Sequence, residues 1–251
     1  MNERLGSLNS SAGDYQSSIH SDVETEYRGL KINAASNLHT ACFSLIQKLD
    51  LLTGARALDL GAGEGAFSQR LIDNGYVAQA VERQAEQFRA DAPCLRYDLN
   101  EDFDNKLSGK FDLIAAIEII EHLYNPRRFI RNCLNLLNPQ GYLLITSPNV
   151  ESWVSRIRFL RHGRPLWFDE TDYDSVGHVT PIFSWQIAQI CRESQASLRQ
   201  IGNTQNKLLW KRLGDGPFDI LRGRTWLMGF LYPLMKGRKD GEINIYLISH
   251  N

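Results

Sequence analysis

The chain has little cysteine, no long apolar run and no excess of charge of either sign, and each shortage excludes something. Its four cysteines, Cys42, Cys94, Cys133 and Cys191, are widely spaced with no C-x-x-C pair. They offer neither a zinc knuckle nor a disulfide framework, which fits a reducing compartment. No apolar stretch reaches the roughly 18 residues that a membrane-spanning helix needs. Lys plus Arg (28) nearly balance Asp plus Glu (29), so no global positive field is available to hold a long nucleic acid through counterion release. Internal repeats and low-complexity segments are also missing. The polar N-terminus MNERLGSLNSSAGDYQSS lacks the apolar core of a secretory signal, so a cytoplasmic protein is expected.

What is there reads as one folded unit. With 251 residues, 43% hydrophobic and 23% charged, the composition is that of a globular domain with a substantial core. Residues 1–25, rich in Ser, Asn and Asp, predict a flexible leader and leave 26–251 as a single domain. Apolar positions from Leu30 to Leu49 recur at helical spacing, which predicts an opening helix over about 27–51.

After that helix the period changes. ARALDLGAGEGAFSQRLIDNG reads as a strand, a glycine turn and an amphipathic helix. VAQAVER, followed by a helix near 84–90, CLRYDLN, and FDLIAAIEI, followed by a helix from about Pro126 to Leu137, supply three more strands, and GYLLITSPN a fifth. A helix over Trp185 to Ser194, a strand near Leu198 to Gly202 and a last strand in EINIYLIS complete the pattern. Near-continuously apolar strands alternating with helices imply a doubly wound α/β fold. The expected architecture is Rossmann-like, a seven-stranded, mostly parallel sheet with helices on both faces. Insertions at about 150–182 and 205–241 follow the fifth and sixth strands, the first too long and too aromatic for an idle connection.

Gly61, Gly63 and Gly65 sit between a strand ending in Asp59-Leu60 and a helix, the context in which a glycine loop binds a nucleotide. Further on, Glu82 ends the second strand, where a carboxylate can accept hydrogen bonds from both ribose hydroxyls. The pair points to an adenosine-bearing cofactor. A dinucleotide oxidoreductase uses a similar loop, although the spacing here is G-x-G-x-G rather than G-x-G-x-x-G.

Together LDLGAGEGAFS, the VE ending at Glu82 and YDLN at 97–100 resemble the class I S-adenosylmethionine-dependent methyltransferases over roughly residues 50–200. The resemblance implies S-adenosylmethionine as cofactor, lined by Asp59, Gly61, Ala62, Gly63 and Glu118. Gly61 and Gly63 would face its methionine part, Glu82 its ribose, and Asp98 with the Leu99 amide its adenine. A sulfonium cofactor brings its own leaving group, so the protein mainly aligns donor and acceptor. A hydroxyl acceptor must still be made nucleophilic, by a base or a metal.

IEIIEHLYNP places Glu118, Glu121 and His122 beside the expected pocket. If a helix begins there, Glu118 and Glu121 share a face and His122 lies one turn beyond Glu118. With His178 from GHVTPIFSW as a fourth ligand, these side chains can hold a divalent cation such as magnesium. The segment resembles that of ubiquinone-pathway O-methyltransferases and small-RNA terminal 2'-O-methyltransferases, where it is associated with a metal. E-H-L-x-x-P also occurs in relatives without one, where His and Glu shape the pocket. Without metal, His122 or His178 would act as general base, with Glu121 beside it.

The first insertion combines Trp153, Phe159, Trp167, Phe168 and Tyr173 with Arg156, Arg158, Arg161 and Arg164. Such a set can bind a phosphorylated or sugar-bearing acceptor, or pack as an amphipathic lid. In the second insertion the apolar run Trp226 to Met235 is flanked by Arg222, Arg224, Lys236, Arg238 and Lys239. It reads either as a peripheral contact through 222–239 at the inner face of a membrane or as a buried helix or dimer contact. The expected reaction is methylation of an oxygen on a small-molecule or glycan- or lipid-linked acceptor. A 2'-O-methyltransferase acting on RNA and a non-catalytic cofactor-binding module are the alternatives.

Overall fold

The computed structural model describes residues 24–204 and 232–251. Almost all of the expected leader, and the apolar run of the second insertion up to residue 231, lie outside the described residues. Among the described residues, no helix is long and apolar enough to cross a membrane.

The centre is a seven-stranded sheet built from β3 (Arg56–Leu60), β4 (Val77–Glu82), β5 (Cys94–Arg96), β6 (Phe111–Ala116), β7 (Leu137–Pro148), β8 (Ala196–Asn203) and β9 (Ile243–His250). They lie in the order β5-β4-β3-β6-β7-β9-β8. The first five strands pair in parallel, and β9 enters antiparallel between β7 and β8. This is the mostly parallel, doubly wound sheet that the strand and helix alternation implies.

Successive strand residues point to opposite faces, and each face has its own core. Leu58, Leu60, Ile114, Leu143, Ile145, Tyr246 and Ile248 pack under α3 (Pro126–Leu136) and α6 (Ser184–Glu193), through Phe129, Ile130, Ile187 and Ile190. Ala57, Leu113, Ala115, Leu144, Ile245 and Leu247 pack under α1 (Leu38–Ile46) and α2 (Ala66–Asp73), through Leu38, Ile46, Phe67 and Leu71. Apolar side chains on alternate faces of one strand are what a sheet covered on both sides requires. The α3 boundary follows local chemistry: the Asn125 side chain accepts the Arg128 N–H, and Pro126 occupies the first turn, where its missing N–H costs nothing. Cys42, Cys94, Cys133 and Cys191 are all free thiols, three of them buried.

Three expected elements differ. The helix over 27–51 is instead a hairpin, β1 (Glu26–Tyr27) with β2 (Leu30–Lys31), followed by the shorter α1. Arg28 and Gly29 both have positive φ, 53° and 75°, the two-residue turn that matches strand twist. That turn breaks the helical period. The helix near 84–90 is a single 3₁₀ turn, Ala85–Gln87. No helix begins at Glu118: its φ is 50°, which an α-helix does not tolerate, and only a 3₁₀ turn forms at Ile120–His122. The first insertion carries α4 (Trp153–His162) and α5 (Glu170–Val176).

Asn149 fastens the end of β7 to the chain entering β9. Its amide nitrogen donates to the carbonyls of Arg238, Asp240 and Gly241 at 3.1, 2.9 and 3.0 Å. Its oxygen accepts from Glu151 N and Asn244 Nδ2, and the residue is 1% exposed. Removing the amide takes away five hydrogen bonds at this crossing, those to Gly241 O and from Asn244 Nδ2 being buried. Asn149→Ala should therefore lower unfolding stability by about 3 kcal/mol, read as a shift of the urea midpoint at unchanged slope.

Candidate active site

The glycine loop sits at the carboxyl edge of β3. Gly61 and Ala62 donate their N–H groups to the Val81 carbonyl of β4, at 2.9 and 3.3 Å. Gly61 has φ 75°, and a Cβ there would stand 2.6 Å from the Ile119 side chain. Gly65, at φ 94°, would meet Ala90 at the same distance. Both the conformation and the close approach demand glycine.

The acids expected to contact cofactor also hold the loop in shape. Asp59 is 3% exposed, and its Oδ2 accepts the Ser68 hydroxyl of α2 at 2.6 Å; burial pushes its carboxyl up to about 6. Glu82 Oε2 accepts the Gly63 N–H at 2.9 Å, and Oε1 accepts the Gln84 N–H at 2.8 Å. Asp98 Oδ1 accepts from Asn100 N at 2.9 Å, and Asn100 Oδ1 in turn accepts from Tyr124 N. Leu99 is buried beside them. The fold thus gathers Asp59, Gly61, Ala62, Gly63, Glu82, Asp98 and Leu99 along one sheet edge.

Glu118 faces a segment that sequence reasoning missed. Its N–H donates to Thr146 Oγ1 of β7 at 2.8 Å, and its Oε2 accepts the Ala35 N–H at 2.6 Å. Residues 24–37 lie as a strap over the glycine loop: Lys31 N donates to Glu64 Oε2, Tyr27 Oη to Asp73 Oδ2, and Arg70 pairs with Glu24. The Arg28-Gly29 dipeptide was the signal for it. Burial pushes the Glu118 carboxyl up to about 7, opposed by the Ala35 N–H and reinforced by Glu242.

Beyond the 3₁₀ turn, Glu121, His122 and His178 converge, with one ligating atom of each within 4.8 Å of the others. Among the described residues this is the group able to hold a metal ion, and Glu118 lies outside it. Glu121 is fully buried, and neither carboxylate oxygen has a hydrogen-bond partner. Burial, then the charge of Glu118, pushes its pKa well up. Its backbone carbonyl accepts the N–H groups of Val179 and Thr180, both at 3.0 Å, which docks the first insertion onto the turn.

The two rings lie 5.0 Å apart at 66°. His122 Nδ1 bonds the Gly177 carbonyl at 3.0 Å, and His178 Nδ1 bonds the Trp167 carbonyl at 2.8 Å. A carbonyl only accepts, so each Nδ1 carries a proton, and in the neutral imidazole Nε2 then keeps its lone pair. Burial, then the neighbouring His178, lowers the pKa of His122 and favours its neutral form.

Three of the four lid arginines are engaged. Arg156 donates to the Glu151 carbonyl, Arg158 pairs with Asp169, and Arg164 pairs with Glu170. Trp153 is buried, so part of the aromatic content packs the lid onto the core.

A glycine loop at the first strand of this sheet, an acid ending the second and a reversed strand β9 near the far edge define a class I S-adenosylmethionine-dependent methyltransferase. Residues 34–200 match the family described as a methyltransferase domain, and the chain belongs to that family. The ubiquinone biosynthesis O-methyltransferase of Coxiella burnetii is 29% identical over 114 residues, 41% of this chain and 48% of that protein. Its namesake from Erwinia tasmaniensis is 25% identical over 157 residues, 51% of this chain and 65% of that protein. The chain therefore spans about half the length of the first of these relatives. Among solved structures, a SAM dependent methyltransferase from Archaeoglobus fulgidus shares the fold with a TM-score of 0.57 at 16% identity, covering 84% of this chain and 91% of that one.

Two outcomes follow from the geometry. Gly61→Ala should weaken binding of S-adenosylhomocysteine by about tenfold, and adding Ile119→Ala should restore part of it, as calorimetry would show. The carboxyls of Glu118 and Asp59 are raised to about 7 and about 6, so between the ordinary carboxylate range and those values each holds a proton in the folded state that the unfolded one lacks. Their contribution to stability falls as pH rises from about 5 to about 7, against the opposite contributions of His39, lowered to about 4, and His122, and Glu118→Gln should shift the pH slope of thermal melts upward from the parent's. A variant slope equal to the parent's would count against the burial of Glu118 as its cause.

Proposed function

We propose that the protein methylates a hydroxyl group of a small-molecule or glycan acceptor, using S-adenosylmethionine. The observation that carries this is the convergence of Glu121, a buried carboxylate without a donor, with two imidazoles whose Nδ1 atoms are tied to carbonyls. With each Nδ1 tied to a carbonyl, a neutral imidazole there offers its Nε2 lone pair, as a hydroxyl to be deprotonated requires, beside a Glu121 carboxyl whose ionised form burial disfavours. The O-methyltransferase names of the Coxiella and Erwinia relatives point the same way.

The cofactor supplies an electrophilic methyl group on a sulfonium. On this reading Gly61 and Gly63 let the backbone approach its methionine part, Glu82 and Asp98 orient its adenosine, and Glu118 offers a carboxylate to its ammonium group. The chain's own task is to hold donor and acceptor in line while His122 or His178 Nε2 removes the acceptor proton. Each ring is held in place by its carbonyl, and burial favours the neutral form of His122.

The same donor set fits a divalent cation. A buried carboxylate with both oxygens unpartnered, together with two imidazoles whose far nitrogens donate to carbonyls, is the arrangement that metal-ligating histidines adopt. Glu121, His122 and His178 would hold the ion, which would lower the pKa of an acceptor hydroxyl beside it. A peripheral membrane contact through 222–239 rests on the sequence pattern alone.

Calorimetry with S-adenosylhomocysteine, together with a methyl-transfer screen of sugars, catechols and RNA ends run with and without chelator, tests this reading. His122→Ala and His178→Ala should each lower turnover by about 100-fold or more while leaving cofactor affinity near that of the parent. Turnover insensitive to chelator would remove the metal and leave the imidazole base. Failure to bind S-adenosylhomocysteine would overturn the whole reading.

A further inference from the structure

The first insertion forms an open cleft of about 520 Å³ between the end of α4, α5 and the segment 178–181. One wall is His178, whose ring also belongs to the Glu121–His122–His178 cluster. A molecule seated in the cavity therefore shares a wall with the groups that would take a proton from it. No residue of the glycine loop or of the Glu82 and Asp98 region lines this space, so it is separate from the cofactor cradle.

The lining states what kind of molecule it accepts. Phe168 and Tyr173 supply aromatic faces, while Asp169, Glu170 and Asp174 supply carboxylates and Arg164 a guanidinium. Arg164 is paired with Glu170, and the nearby Arg158 with Asp169. Asp174 has no hydrogen bond or ion pair among the described residues. Acids outnumber bases along the wall, so a phosphate or another anion meets net repulsion, and Arg164, the arginine of the lining, is already paired. A flat apolar ring would use the aromatic faces alone and leave the exposed Asp174 to water. A neutral polyhydroxyl ring satisfies both features, since its C–H face packs on an aromatic ring while its hydroxyls donate to carboxylates.

We propose that this cavity is a subsite for a neutral pyranose, in which Tyr173 and Phe168 hold the sugar face, Asp174 accepts from its hydroxyls, and one hydroxyl is presented at His178. The proposal rests on the methyltransferase reading for the fate of that hydroxyl, and on the lining alone for sugar binding. It also narrows the expectation for the lid, keeping the sugar-bearing acceptor and not the phosphorylated one: Arg158 and Arg164 neutralise Asp169 and Glu170. A phosphorylated acceptor is thereby disfavoured.

The test uses the full chain and ligand-observed NMR with a panel of neutral methyl hexopyranosides, with glucose 1-phosphate and catechol as comparison arms. At least one methyl hexopyranoside should bind, more tightly than glucose 1-phosphate. Asp174→Asn and Tyr173→Ala should each weaken it by about tenfold while leaving the melting temperature and the calorimetric affinity for S-adenosylhomocysteine unchanged. Tyr173 is 55% exposed, so these changes leave the core alone. Tighter binding of the phosphate sugar, binding of catechol with no hexopyranoside bound, or sugar binding indifferent to both substitutions would each overturn the proposal. A protein that binds the sugar but not S-adenosylhomocysteine would keep the subsite and sink the methyltransferase reading, so the two fail separately.

Discussion

The Glu121 carboxylate is taken wholly out of water with no donor for either oxygen. Burial of this kind costs several kcal/mol unless a proton or a cation neutralises the group. An apolar side chain of similar size would fill the space at lower cost, so the carboxylate serves chemistry rather than stability. The surroundings are arranged about it. The 3₁₀ turn that carries Glu121 offers its carbonyl to Val179 and Thr180, and Thr180 Oγ1 donates to the Leu123 carbonyl. This docking brings His178 beside His122 and holds the first insertion over the sheet edge. A shift of the turn would move the cluster, the lid and the cavity together.

The cofactor edge follows a different logic, in which each acid has its geometry fixed before any ligand arrives. Glu82 ties the glycine loop to its own strand end, Asp59 ties β3 to α2, and Asp98 closes a local turn through Asn100. Oxygens already oriented by the chain's own donors need little reorganisation to accept further hydrogen bonds. The strap over 24–37 adds a boundary on the same side, fastened to the loop through Glu64 and to β6 through Glu118.

What was legible in the sequence was whatever a short-range pattern encodes. Alternation of strand and helix revealed the sheet, because strands covered on both faces must be apolar nearly throughout, and the glycines with Glu82 marked the cofactor edge. Asn125-Pro126 marked the start of α3 to the residue. Hydrophobic period alone misread 27–51, since Leu30 and Ile32 fit a helix as well as the inner side of a hairpin and only Arg28-Gly29 told them apart. Glu118 and Glu121 looked like neighbours on a helix, but φ is positive at Glu118, whose carboxylate accepts the Ala35 N–H while that of Glu121 is buried without a donor. The pairing of lid arginines with Asp169 and Glu170 was invisible because it joins α4 to α5 across a loop, and charge counting cannot say which guanidinium is spoken for.

The place of β9 in the sheet has a consequence for how the protein is made. It follows every other described strand, yet it lies between β7 and β8. Until Ile243–His250 is available, β7 keeps one open edge, with a row of free N–H and C=O groups, and β8 has no strand to pair with. Tyr246, Ile248 and the Asn149 clamp are absent from the interior until the same moment. The sheet therefore closes in one late insertion from the middle rather than by growth at its rim, and the interval before it is when the nascent protein is most exposed to pairing with the wrong partner.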